Sequence, residues 1–350
     1  MALNTVSSER LSTNVKTSNL GTELSKKVGQ SKNLIINGAF LIAERGTSST
    51  TSGLATVDRF QQIHNGTDEA PTQAQVDVAS GTTPYTNGFR KAFKITNGNQ
   101  SGGAGVNDYI WIQTKLESQH IANSGWNYVS SSSYITLSFW VKSSVAQDFK
   151  GYLRSRDGTQ LMYPFNTGTL TADTWTKITK SIPGNSSLQF DNDVNEGLQL
   201  NIGCFFGDNL TSAATAENAW ATWNSSARAK VFTPTWYTTD NATFEITGVQ
   251  LELGSVATDF EHRTVAEEAL LCKRYYISST DFHHICVNNG ESDRWIRFMV
   301  EMRDAPTVTT SPTNSVSFSP QNQTKHGFAG NGSGASLANF NMPWTADAEL

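Results

Sequence analysis

Aromatic side chains and short amides are the residues of this chain whose chemistry is most suggestive. The sequence has nine tryptophans, and aromatic residues make up 10% of it. Flat rings stack on the C–H faces of sugars while amides and charged groups bind hydroxyls, so the combination suits a carbohydrate site. The candidates for contact with a glycan are Trp220, Trp223, Trp126, Tyr128, Trp111, Gln113 and Trp140.

The spacing of these candidates predicts two kinds of position. Trp220 and Trp223 lie in the polar stretch AENAWATWNSS, and Trp126 with Tyr128 forms a second pair, so both pairs are expected on loops. Trp111, Gln113 and Trp140 alternate with apolar residues, which predicts positions on the non-core face of strands. The alternative is structural: Trp buries a large area and usually packs under loops or in a second layer.

Metal chemistry has weaker support in the sequence. Asp191, Asn192 and Asp193 could donate oxygens to a structural Ca²⁺, but that ion needs six to eight oxygens, and a polar turn is the simpler interpretation. His283 and His284 are adjacent and would point to opposite faces of a strand, so they would bind one ion only if a three-fold axis gathered them from several chains. We predict no cofactor, with structural calcium as the alternative.

Catalytic motifs are missing from the sequence. It has no G-x-S-x-G, no P-loop, no G-x-G-x-x-G before a helix and no H-E-x-x-H. The acid pairs Asp191/Asp193 and Glu267/Glu268 could be imagined as glycosidase carboxylates, but the second pair is expected at the exposed end of a helix. We therefore predict a protein that is not an enzyme.

Composition narrows the class of protein. Only 16% of residues are charged, the net charge is −5, and no basic cluster suggests nucleic-acid binding. Three widely spaced cysteines, Cys204, Cys272 and Cys286, are interpreted as small buried residues rather than as a disulfide or zinc framework. No signal peptide or membrane-spanning run is visible, so the expectation is folding in a cytoplasm without membrane insertion.

Hydrophobic periodicity predicts an all-β protein. Period-2 alternation within residues 33–262, separated by Gly/Asn/Ser/Thr loops, indicates an antiparallel β-sandwich or jelly roll. The expected strands include Leu34 to Phe40, a run beginning with Asp58-Arg59-Phe60, Tyr109 to Leu116, Tyr134 to Lys142, Trp175 to Ile182 and Leu198 to Phe206.

Three further segments flank this domain. Residues 1–32 carry a thin apolar stripe that needs a partner, so we interpret them as an anchor and trimerisation segment rather than a disordered tail. Thr264 and Glu267 form a capping-box pattern, which predicts a linking helix within residues 263–278. Residues 279–350, with an expected turn at Asn288-Asn289-Gly290 and a strand from Arg294 to Met302, are a small C-terminal β domain.

Several passages together carry a resemblance to a known family. They are NLIINGAFLIAERGTS, VDRF, YITLSFWVKSS, GTLTADTWTKITKSIPG, ITGVQLELGSVATDFEHRTVAEEALLCKRYY, VEMRDAPTVT and WTADAEL. In this order the chain, from about residue 33 to its end, resembles bacteriophage tail-fibre or capsid-fibre proteins with a jelly roll similar to carbohydrate-binding modules. The QLELG-ATDFE-RYY passage is the most specific.

The resemblance implies a virion protein, displayed on the tail or capsid, whose homotrimer adheres to glycans of the host cell surface. Residues 1–32 would attach it to other virion proteins. The alternatives are a structural capsid-decorating or tail-scaffold protein without ligand, a polysaccharide depolymerase, and a secreted sugar-binding module.

Overall fold

The computed structural model describes residues 32–213, 216–280, 283–285, 294–311, 317–333, 339–341 and 343–350. The anchor segment expected at residues 1–32 lies outside this range except for Lys32. The protein is all-β, with 40% strand and 7% helix. Within the described residues, no helix has the length and apolar character that crossing a bilayer requires.

Twelve strands form the large domain. In chain order they are β1 (Ser48–Ser49), β2 (Phe60–Asn65), β3 (Thr72–Asp77), β4 (Lys91–Thr96), β5 (Tyr109–Glu117), β6 (Tyr134–Ser143), β7 (Asp148–Ser155), β8 (Leu161–Thr169), β9 (Thr176–Pro183), β10 (Glu196–Phe206), β11 (Ala221–Thr222) and β12 (Thr243–Leu253). Two short helices, α1 (Thr83–Thr86) and α2 (Ser118–Ala122), lie in the connections.

These strands pair into two antiparallel six-stranded sheets. Sheet 1 has the order β1-β3-β4-β12-β6-β9, and sheet 2 has the order β11-β8-β7-β10-β5-β2. One continuous apolar core joins them: Leu137 and Phe139 come from sheet 1, and Ile112, Leu200 and Leu153 come from sheet 2. The alternation of apolar and polar residues along each strand therefore sends one set of side chains into the sandwich and the other to its two outer faces.

The first expected strand, Leu34 to Phe40, is wrong: this segment is a compact turn. Asn37 and Phe40 have φ values of 60° and 56°, in the left-handed region that lies outside the extended conformation of a regular strand. The buried Asn37 amide donates to the carbonyl oxygens of Ile42 and Asp58 and accepts from Ile42 N–H. Asn tolerates the left-handed conformation, and its side-chain hydrogen bonds replace those that a neighbouring strand would supply. Apolar periodicity alone does not reveal such a turn.

The capping pattern correctly predicts a helix, α3 (Val265–Lys273). Thr264 Oγ1 accepts from Glu267 N–H, and the Glu267 carboxylate accepts from Thr264 N–H. Glu268, expected on an exposed helix end, is instead buried, where it accepts a hydrogen bond from Asn37 N–H and pairs with Arg263 at 3.4 Å. The helix is thus joined to the first turn of the sandwich.

In the described residues of the C-terminal part there are eight short strands and a small core. They are β13 (Tyr276–Ser279), β14 (His283–Ile285), β15 (Arg294–Arg297), β16 (Thr307–Thr310), β17 (Ser317–Thr324), β18 (Gly327–Ser333), β19 (Asn339–Asn341) and β20 (Trp344–Asp347). They pair as β13-β20-β16, β14-β19 and β15-β18-β17. The strand expected to reach Met302 ends at Arg297, and the turn expected at 288–290 lies outside the described residues.

A buried charge cluster connects the sandwich, the end of α3 and the C-terminus. Glu117, at the end of β5, accepts from Arg274 Nε and Nη2 at 3.0 and 2.9 Å and from the Tyr275 hydroxyl at 2.5 Å. The Arg59 guanidinium lies 3.4 Å from the centre of the Tyr275 ring and pairs with Glu349. The passages VDRF, RYY and TADAEL, distant in sequence, therefore meet at one place.

Candidate functional site

The outer face of sheet 2 carries rows of polar and aromatic side chains. Strand register aligns Gln61, Gln113, Asn201, Tyr152 and Pro164 across β2, β5, β10, β7 and β8. The apolar residues that alternate with them along each strand point into the core. The outer face therefore carries the other set of side chains of these strands. It is the surface on which the sequence placed Trp111 and Gln113.

An amide row crosses three strands of this face. Gln61 Nε2 donates to Gln113 Oε1 at 2.6 Å, and Gln113 Nε2 donates to Asn201 Oδ1 at 2.7 Å. At its end, the buried Asn201 Nδ2 has no hydrogen-bond partner among the described residues. Burial of an unpaired amide donor costs free energy that a merely structural face would avoid with an apolar residue.

Gly203 makes room for an aromatic layer beside this row. A Cβ at Gly203 would lie 2.6 Å from Phe206 Cε2, so only glycine lets that ring lie flat on the strand. The Phe206 ring then packs 5.5 Å from Trp111, which also contacts Tyr109 at 4.4 Å. Trp111 is only 7% exposed, and Gln113 is 6% exposed. The side chains of Trp111 and Gln113 therefore lie beneath the surface of this face and are almost entirely covered.

Residues 207–213 and 216–242 belong to the connection between β10 and β12, and part of this connection lies over the face. Trp223 lies there, half-buried, with its ring 5.6 Å from Tyr152 and 3.7 Å from the Arg154 guanidinium. The Arg228 guanidinium lies 5.6 Å from the same ring and 5.1 Å from Trp111. We call Tyr152, Arg154, Trp223 and Arg228 the Trp223 cluster.

Burial dominates the electrostatics of this cluster. It raises the pKa of Tyr152 to about 12, although Arg228 and Arg154 favour the phenolate. Burial, together with repulsion by the neighbouring Arg156, lowers the pKa of Arg154 to about 10. Tyr152 is therefore a neutral hydroxyl at pH 7, whereas Arg154 stays charged. The cluster can supply one indole, one phenol and two guanidinium groups, but no proton donor or acceptor that titrates near neutrality.

The remaining sequence-predicted residues lie elsewhere. Trp220 packs on Tyr163 and donates from Nε1 to Pro183 O at 2.7 Å, which attaches the returning segment to the end of β9. Trp126 is 4% exposed in the main core, and Tyr128 packs with it against Phe190.

Trp140 is on the opposite outer face of the molecule, that of sheet 1. It packs with Trp175 against a small apolar cluster there. The predicted candidates consequently do not form one site: Trp111, Gln113 and Trp223 are brought together on sheet 2, whereas Trp126, Tyr128 and Trp140 are remote from them.

The acidic turn at 191–193 is held by local hydrogen bonds. Asp191 Oδ1 accepts from Gln189, Asp193 accepts from Asn195, and Asn192 Oδ1 accepts from Asn123. Within the described ranges, no three His, Cys, Asp or Glu side chains are grouped closely enough to hold a metal. Of His283 and His284 the structure describes only the backbone, in β14. Of the cysteines, Cys204 and Cys272 are buried free thiols, as expected, and Cys286 is not described.

Sequence reasoning missed Tyr152, Arg154 and Arg228. β7 reads DFKGYLRS, in which Lys150, Tyr152 and Arg154 alternate with apolar or small residues, so a period-2 count would have put Tyr152 and Arg154 on the same face. Arg228 carries no such signal, because its position depends on how a loop of more than thirty residues folds back.

Comparisons with known proteins give only distant likeness. No family model and no curated protein matches the chain. Among solved structures, the enzymatically active domain of bacteriophage CBA120 tailspike protein 4 is similar over 63% of this chain and 21% of its own, with 9% identity and a TM-score of 0.33. The tripod from the baseplate of bacteriophage Tuc2009 is similar over 68% and 60%, with 12% identity and a TM-score of 0.30.

A cellulose-binding domain gives a third such match. The N-terminal domain of Cellulomonas fimi β-1,4-glucanase C is similar over 62% of this chain and 99% of its own, with 10% identity and a TM-score of 0.29. All three TM-scores are far below 0.5, so nothing about the ligand of this chain follows from them.

Proposed function

We propose that this chain is a bacteriophage fibre protein, on the tail or capsid, that attaches the particle to its host by binding surface glycans at the Trp223 cluster. The observation that carries the proposal is the half-buried Trp223 indole on the outer face of sheet 2, with the Arg154 guanidinium 3.7 Å from its centre. An indole fixed in this way is a rigid platform that loses little conformational entropy when a sugar ring stacks on it.

The orientation of the indole supports this role. Arg154 and Tyr152 both belong to β7, so they occupy the side of Trp223 that faces the sheet. The outward side of a half-buried ring remains for a ligand. The guanidinium of Arg228 beside it donates from Nε to Ser225 O and also contacts the Tyr152 hydroxyl, and these partners do not use all of its N–H donors.

The sequence passages that resemble phage fibre proteins suggest the biological setting of this proposal. Adhesion by such fibres relies on several weak sites acting together, and multivalency raises the overall avidity by about 10²–10⁴ without new contacts. We propose a homotrimer in which residues 1–32 hold the chains together or dock on other virion proteins. The mass of the full-length protein in solution, beside a chain that starts at Lys32, tests this part: a monomer in both cases would contradict it.

Cell binding tests the proposed site. Fluorescently labelled full-length protein should bind a subset of a panel of bacterial strains, and Trp223→Ala should reduce that binding at least tenfold because the stacking platform is lost. Trp140→Ala is the matched control, since it removes a partly buried indole from the opposite sheet and should leave binding unchanged. Loss of binding with Trp140→Ala but not with Trp223→Ala would move the site to sheet 1 and refute the proposal.

The rival functions predict different results. A capsid-decorating or tail-scaffold protein without ligand would bind no strain. A depolymerase would release new reducing ends from lipopolysaccharide or capsule during incubation, whereas the adhesion proposal predicts no release above the level of heat-denatured protein.

A further inference from the structure

We propose that the Trp223 cluster selects acidic glycans, whose carboxylate or phosphate binds Arg228 while the sugar ring stacks on the outward side of Trp223. This inference rests on the proposed function of the same face. It concerns the class of sugar, which neither the aromatic platform nor the amide row specifies.

Two cations of the cluster lack a carboxylate partner. Among the described residues, no Asp or Glu oxygen lies within 4.0 Å of the Arg154 or Arg228 side chain. Arg154 donates from Nε and Nη2 to the single amide oxygen of Gln160, at 3.1 and 2.5 Å. The Arg228 side chain contacts the Ser225 carbonyl, the Tyr152 hydroxyl and the Trp111 and Trp223 rings, all of which are uncharged.

The other charged groups on this face are paired. Lys115 and Arg156 share Glu196, at 3.6 and 3.3 Å, and Lys150 pairs with Asp148 at 2.9 Å. Lys115, Arg156 and Lys150 thus each have a carboxylate partner, whereas Arg154 and Arg228 have none among the described residues. The two cations without such a partner lie beside the Trp223 ring.

An uncompensated charge near a protein interior is unfavourable for folding. Burial lowers the pKa of Arg154, which means that its charged form is destabilised by its surroundings. A carboxylate or phosphate beside Arg228 would offset the positive charge of the cluster and accept the fork-shaped pair of N–H donors that a guanidinium presents. A neutral sugar would leave the charge of both arginines uncompensated.

The geometry suits a ligand that is apolar on one side and anionic at its edge. Both guanidinium groups lie against a single indole, at 3.7 and 5.6 Å from its centre. A pyranose ring stacked on the outward side of Trp223 could direct a carboxylate at its C5 position, or a phosphate on a hydroxyl, toward Arg228. Uronic acids, nonulosonic acids and phosphorylated hexoses share this pattern.

A glycan array measures this selectivity directly. Capsule and O-antigen oligosaccharides would be printed in three forms: native, carboxyl-reduced, and dephosphorylated. The full-length protein should bind acidic members only, and should lose at least tenfold in apparent affinity for whichever acidic group is removed; the two treatments tell carboxylate from phosphate. Arg228→Gln should reduce acidic binding about tenfold, in keeping with the loss of one charge-assisted contact. Arg228→Lys should lie between, because it keeps the charge but not the fork.

Lys177→Gln provides the charge-matched control, since this exposed residue on β9 is on sheet 1 and its loss changes the net charge equally. Its affinity should equal that of the unmodified protein. Equal binding of native and neutralised glycans would overturn the acidic selectivity and leave the adhesion proposal standing. If no glycan is bound in any form, both proposals fail.

Discussion

Replacement of Arg274 by Met tests how the C-terminal part is held to the sandwich. Glu117 is fully buried, and Arg274 supplies two of its hydrogen bonds. Removing one partner of a buried pair costs about 3–5 kcal/mol because the other charge is left uncompensated. Tyr275 and Gln119 would still donate to Glu117, so we expect a loss near the lower end, about 3 kcal/mol at pH 7.

The effect should depend on pH with a definite sign. Burial by itself would raise the pKa of Glu117, but hydrogen bonds from Arg274 and Tyr275 outweigh it and hold that pKa below its ordinary value. The pair therefore stabilises the protein above the unfolded pKa of Glu, and this stabilisation is lost as the pH falls through the folded pKa. In Arg274→Met burial dominates, so the carboxyl takes up a proton more readily. The deficit should be largest near pH 7 and shrink toward pH 4.

Urea denaturation followed by tryptophan fluorescence measures both quantities. Arg156→Met is the control, because its pair with Glu196 at 3.3 Å is partly exposed and should contribute less than about 1 kcal/mol. An Arg274→Met protein within about 1 kcal/mol of the unmodified one at pH 7, well below the range for broken buried pairs, would refute the reasoning. A deficit that is the same at pH 4 and pH 7 would do so too.

Three further changes probe other parts of the fold. Burial raises the pKa of Asp58 to about 6, although the hydrogen bond from Glu44 N–H and attraction by Arg45 lower it. The folded state therefore binds the proton more tightly than the unfolded state, and the free energy of unfolding should fall as the pH rises from about 4 to about 6. Urea denaturation at a series of pH values should show this slope, and Asp58→Asn should remove it. Gly203→Ala should cost about 1–3 kcal/mol and shift the near-ultraviolet circular dichroism, because its Cβ meets the Phe206 ring; an unchanged spectrum and stability would contradict the packing described. Thr264→Ala should lower stability by about 1 kcal/mol in thermal denaturation, since it removes the cap of α3, and no change would mean that the capping box contributes nothing.

Periodicity predicted most of the sandwich because each strand has one face in a common core. β5, β6, β9 and β10 occur within a residue or two of the positions expected from alternation. The same reasoning failed at Leu34 to Phe40, where an apolar run forms a turn. There the decisive features are side-chain hydrogen bonds of Asn37 to residues as far away as Asp58, which no local pattern encodes.

The candidate site could be predicted only in part. Alternation put Trp111 and Gln113 on the outer face of β5, and that is where they lie. Alternation cannot tell whether an outer face meets water or a returning segment, so the burial of Trp111 was not foreseeable. Neither was the stacking of Arg154 on Trp223, which joins residues from β7 and a loop some seventy positions later and is decided by long-range folding alone.

The most direct test of the central claim is a crystal structure of the full-length protein with a bound acidic oligosaccharide selected on the array. The account predicts a sugar ring stacked on the outward side of Trp223, with its carboxylate or phosphate within hydrogen-bond distance of Arg228. A ligand bound instead beside Trp140 on sheet 1, or beside Trp126 and Tyr128, would contradict it.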